Sequence, residues 1–126
     1  MSLKETPRLL LESLFDAWQL SDFEEMAALV QPSYLKILDR HELEILERIR
    51  NTLGLTKFGA YSIKSISQGL LPNMQDADVE IFDACIAGKS VQGKVVVHVN
   101  VIEEPVDGKR GWSFNPVSAL RRTVTE

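Results

Sequence analysis

The sequence predicts an α+β domain: three N-terminal helices packed on a curved antiparallel sheet of about four strands. Two observations carry this. Apolar residues recur at helical spacing as far as Leu53, and from Phe58 onward the period becomes two. The most regular stretch is 91–101, where Val91, Gly93, Val95, Val97, Val99 and Val101 alternate with Gln92, Lys94, Val96, His98 and Asn100. β-Branched residues on one phase against mostly polar ones on the other describe a half-buried strand. Its length places it at the centre of the sheet. Helices first and strands afterwards is the α+β order.

Thr6 and Pro7 open the first helix, Thr6 as the N-cap and Pro7 at the first helical position, where its missing N–H costs nothing. Leu10, Leu11, Leu14, Phe15 and Trp18 then form one wide apolar stripe. The helix breaks near Leu20. Ser21 and Glu24 read as a capping box for a short second helix that turns Phe23, Met26, Ala27 and Val30 inward. Pro32 ends it, because the residue before a proline is pushed out of the α region. Residues 31–38 read equally as a helical turn or an extended link. Asp39 and Glu42 form another capping box, with Leu38 and Leu43 placed as a hydrophobic staple. The third helix follows, with Leu43, Leu46, Ile49 and Leu53 inward and Glu44, Glu47, Arg48 and Arg50 outward; Gly54 is placed to end it.

The first strand is expected at 61–68, where Ile63 and Ile66 fall out of phase and signal a bulge. A loop at 69–76 leads to a second strand at 77–87, and Gly88-Lys89-Ser90 turns it into the central strand. Asp107-Gly108 is a hairpin signal. The fourth strand, 110–117, carries Trp112 and Phe114 on one face. The whole chain, 1–126, reads as one domain with its core in 7–117 and a polar tail at 118–126.

The 126 residues are enough for a single core. A net charge of −4, with acids and bases interleaved, offers nothing to nucleic acid or to an anionic membrane surface. No apolar run is long enough to span a bilayer, and no signal peptide is visible. The lone Cys85 excludes an internal disulfide framework, which with the missing signal gives a cytoplasmic expectation.

At residues 21–32 (Ser-Asp-Phe-Glu-Glu-Met-Ala-Ala-Leu-Val-Gln-Pro) the chain resembles the nuclear-transport-factor-two-like, or cystatin-like, superfamily, in which a long helix is followed by an acidic turn, a short helix and a proline-bearing link. The third helix ending at Gly54, the strand at Tyr61 and the hairpin closing on Gly111-Trp112 extend the likeness over about 7–117. It is most similar to the small members whose last strand carries a tryptophan. The resemblance implies a cone between helices and sheet, used for chemistry by ketosteroid isomerases and dehydratases. Matched through Asp22, the isomerase-type tyrosine falls at Leu14 and the base aspartate near Leu38, beside Asp39. An apolar residue at the oxyanion-donor position departs from the isomerase pattern and weighs against that chemistry.

Other motifs fail on chemistry. Residues 88–94 match most of a phosphate-binding loop, but Val95 stands where the magnesium hydroxyl belongs and the segment joins two strands. His41-Glu42 opens like a zinc-protease helix, but Ile45 replaces the second histidine. Cys85 has no basic neighbour in sequence to activate it. His98 and Asn100 share a strand face and are candidates for an acid–base pair, with Asp39 a third catalytic candidate. Phe15, Trp18, Tyr34 and Tyr61 are candidates to line a pocket for a small apolar ligand. No cofactor or metal is expected.

The function these features predict is a non-enzymatic binding or dimerisation module of that superfamily. The competing reading is an isomerase- or dehydratase-type enzyme with a cone pocket. Phe82, Ile86, Val96 and Ile102 fall on even positions, opposite the valines, and with His98 they predict a homodimer interface on the outer sheet face.

Overall fold

The computed structural model describes residues 4–33, 44, 47, 55–91, 94–106, 108–114 and 120–125. Helix α1 is Pro7–Gln19 and α2 is Phe23–Ala28. Thr6 caps α1 as expected, accepting from the Leu9 N–H at 3.2 Å. The cap of α2 is Asp22 and not Ser21: its Oδ1 accepts from the Glu25 N–H at 3.2 Å, while Ser21 takes a positive φ of 56° in the turn between the helices. Asp22→Ala is expected to lower stability by about 1 kcal/mol, read as a fall in the urea midpoint, with Ser21→Ala closer to neutral. Two helices are described where the sequence predicts three. Of the third, Glu44 and Glu47 are helical and exposed, and the rest of 39–54 lies outside the described residues.

Among the described residues eight strands follow: β1 Leu55–Lys57, β2 Ala60–Gln68, β3 Met74–Phe82, β4 Cys85–Ile86, β5 Lys89–Ser90, β6 Lys94–Val106, β7 Lys109–Phe114 and β8 Leu120–Thr125. The main sheet is antiparallel in the order β2-β3-β6-β7, with β8 also on β6. One edge of β6 pairs with β3; the other is shared, β7 taking Val101–Val106 and β8 taking Lys94–Val99. The expected bulge is present as a register shift between Ile63 and Ser65, which returns Ile66 to the phase of Ile63. Gly108 adopts φ 78° in the tight turn from β6 to β7.

Two expectations are corrected. The strand expected at 77–87 is broken: β3 stops at Phe82, Asp83 has φ 55°, and Cys85–Ile86 joins β1 and β5 in a small second sheet. The segment 118–126 is no mere tail, since Leu120–Thr125 is a strand of the main sheet.

The odd valines decide which face meets the helices. Val95, Val97, Val99 and Val101 are buried, together with Val79 and Ile81 of β3, against Leu10, Leu11, Leu14, Phe15, Trp18 and Met26. Both helices are tied to the β7 edge through their flanks. The Trp112 N–H donates to the Lys4 carbonyl at 2.8 Å, and the Gln31 N–H donates to the Phe114 carbonyl at 2.7 Å. On the other side, the Tyr61 hydroxyl donates to Asp16 Oδ1 at 2.6 Å, bolting β2 to α1. Burial and then the Asp16 carboxylate push the Tyr61 hydroxyl well above the ordinary tyrosine range. A raised folded pKa favours the neutral phenol, so its contribution is present below the unfolded value of about 10 and is lost as pH rises above it. Tyr61→Phe is therefore expected to flatten the alkaline fall in thermal midpoint relative to wild type.

Candidate functional site

The face of the sheet turned away from the helices carries the polar chemistry of the described residues. Antiparallel register sets its rows. Glu80 of β3 lies opposite Val96 of β6, which lies opposite Thr123 of β8; one row on, Asp78 lies opposite His98. Because side chains two apart share a strand face, Asp76, Asp78 and Glu80 form an acidic stripe beside Lys94, Val96, His98 and Asn100.

Two clusters result. Glu80 Oε2 is bridged by Lys64 at 3.4 Å and Lys94 at 3.2 Å. Partial desolvation works to raise the Glu80 carboxyl, but the Lys94 and Lys64 ammonium groups outweigh it and hold it below its ordinary value, while Glu80 in turn raises Lys94. In the second cluster, His98 Nδ1 lies 2.7 Å from Asp78 Oδ1 and its Nε2 lies 2.9 Å from Thr123 Oγ1. An ionised carboxylate only accepts, so Asp78 fixes the tautomer with the proton on Nδ1 and leaves neutral Nε2 to accept from the Thr123 hydroxyl. The face ends in an open cleft of about 410 Å³ lined by Glu80, Ile81, Phe82, Asp83, Val91 and Lys94.

His98 and Asn100 do share the outer face, both half-buried. The register partner of Asn100 is Asp76, while His98 finds its own partners in Asp78 and Thr123. Sequence reasoning missed both partners, since they sit 20 and 25 residues from the histidine. His98 points away from the helices and so does not line a space between helices and sheet. Phe15 and Trp18 are buried and packed on one another, ring centroids 5.7 Å apart, with Tyr61 5.5 Å from Phe15 and Phe58 6.1 Å from it. In the described part of the chain these rings fill core. Tyr34 and Asp39 lie outside the described residues. Of the outer-face set, Phe82 is 44% exposed, and Val96 and Ile102 are half-buried. Ile86 does not belong with them. The break at Asp83 puts it on β4, where it packs against the core. Cys85, also on β4, is half-buried with its sulfur 3.9 Å from Ser90 Oγ. Among the described residues no group of three His, Cys, Asp or Glu side chains stands as a metal set, and no helix is long and apolar enough to cross a membrane.

No family model matches the chain, and no curated protein matches it. Among solved structures it is similar to a SEC-C motif containing protein from Psychrobacter arcticus, with a TM-score of 0.56 and 12% identity, over 99% of this chain and 67% of that one. The likeness is one of fold.

Proposed function

We propose that the protein is a binding and dimerisation module of the nuclear-transport-factor-two-like kind, and that the outer face of its main sheet docks a second copy of the chain. The observation that carries this is the pairing of the acidic stripe on β3 with basic groups on either side of it, around half-buried Val96. Stripes of opposite sign side by side are self-complementary: a two-fold rotation lays the acids of one copy near the bases of the other. Phe82 and Ile102 add apolar area towards the ends, and self-pairing uses that area twice. The enzyme reading draws less support, because the helix-facing side of the sheet is packed with Leu14, Phe15, Trp18 and Met26 while the candidate histidine faces the other way.

Sedimentation equilibrium at micromolar concentration tests the proposal. The wild-type chain is expected to weigh as a dimer and Val96→Lys as a monomer, because a long side chain at the centre of the face holds the two copies apart and its ammonium group must lose hydration to enter the contact. Val96→Lys retaining the mass of the dimer, or a wild-type monomer, overturns it.

A further inference from the structure

The geometry points to Thr123 as a nucleophilic hydroxyl, activated by His98 and Asp78, that accepts an acyl group from activated esters. Three paired strands hold the three groups: Asp78 on β3, His98 on β6 and Thr123 on β8. The order is carboxylate, imidazole, hydroxyl, with contacts of 2.7 and 2.9 Å, which is the connectivity a general base needs to take a proton from an alcohol. Thr123 is exposed and His98 half-buried, so the hydroxyl is reachable from solvent in the single chain.

In the step, Thr123 Oγ1 bonds to the ester carbonyl carbon as its proton passes to His98 Nε2. Asp78 stabilises the imidazolium. The tetrahedral adduct then expels the leaving oxygen, which takes that proton, giving an acyl-threonine ester and a free alcohol. The substrate class follows from what surrounds the hydroxyl. Backbone N–H groups of a strand lie in the plane of the sheet, so among the described residues none on β3, β6 or β8 is aimed at an oxyanion above this face. Lacking such a donor costs about 10²–10³ in rate, which confines the reaction to esters with good leaving groups. Aryl esters, whose phenolates leave readily, meet that condition.

This inference goes beyond self-association and rests on it in one respect: the dimer contact covers the hydroxyl, so the free chain is the reactive form. The test is p-nitrophenyl acetate with the full chain diluted below micromolar at neutral pH, read by p-nitrophenolate release, intact mass and peptide mapping. One acetyl group per chain on Thr123 is expected. Thr123→Val abolishes it, Thr123→Ser restores it, and His98→Gln slows it about 100-fold. Labelling confined to lysines, or a Thr123→Val variant with native circular dichroism that labels like wild type, overturns the proposal. Sedimentation reads self-association separately: a wild-type monomer that acetylates on Thr123 sinks the dimer and keeps the nucleophile, and a dimer that dissociates on dilution without labelling does the reverse.

Discussion

Val97→Asp is expected to leave the domain unfolded at room temperature. Val97 is wholly buried in the first half of β6, paired to Val79 on one side and to β8 on the other, with its side chain on the face covered by the helices. A carboxylate there enters the apolar core cluster that Val97 shares with Val79, Val95 and Val99. Taking a charge out of water costs several kcal/mol even after relaxation, against a total stability of about 5–15 kcal/mol for a domain of this kind. The lost valine packing adds to the deficit. Collapse of the far-UV circular dichroism and of amide dispersion in NMR is the expected readout. A cooperative thermal transition near that of wild type contradicts the assignment of the inner face. Lys94→Ala on the opposite face is the control, expected to change stability little because exposed ion pairs contribute at most about 1 kcal/mol.

Phe15→Ala is expected to lose about 3–5 kcal/mol, the range for deleting a buried aromatic ring. Phe15 is wholly buried at the centre of an aromatic cluster, stacked on Trp18 and in contact with Phe58 and Tyr61. Edge and offset contacts of this kind add to its area burial. Denaturant unfolding measures the loss. Phe82→Ala is the matched comparison: Phe82 is a phenylalanine left 44% exposed, and a change within about 0.5 kcal/mol is expected there. Equal losses at the two positions contradict the division between core and outer face.

That division was legible from alternation alone, because the valine phase of β6 leaves one continuous apolar side and a strand can bury only one side cheaply. The Thr6-Pro7 start, the bulge between Ile63 and Ser65 and the turn at Gly108 were equally legible, since each is fixed by local backbone chemistry. The break at Asp83 was not. Its positive φ is imposed by tertiary pairing, with the Gly59 N–H bonded to the Phe82 carbonyl and the Val91 N–H to the Ala84 carbonyl, and no glycine marks the position in sequence. Misplacing that break is what put Ile86 on the outer face. Strand β8 was missed for a related reason. Its two arginines and two threonines read as solvated chain, and the edge that orders it exists only because β7 covers part of a 13-residue β6. Without β8 there was no Thr123 beside His98. The contacts of the histidine depend on register between three strands, which no local pattern in 91–101 encodes.

Methyl NMR with a soluble paramagnetic probe reads the proposed docking of two copies through the outer sheet face residue by residue. Val96 and Ile102 lie on that face, whereas Leu20 is 79% exposed at the C-terminal end of α1, on the helix side of the sheet. On concentrating the protein from the monomeric to the dimeric range, the relaxation enhancement at the Val96 and Ile102 methyls is expected to fall while that at Leu20 stays unchanged. Equal enhancement at all three positions across the concentration range contradicts docking through that face.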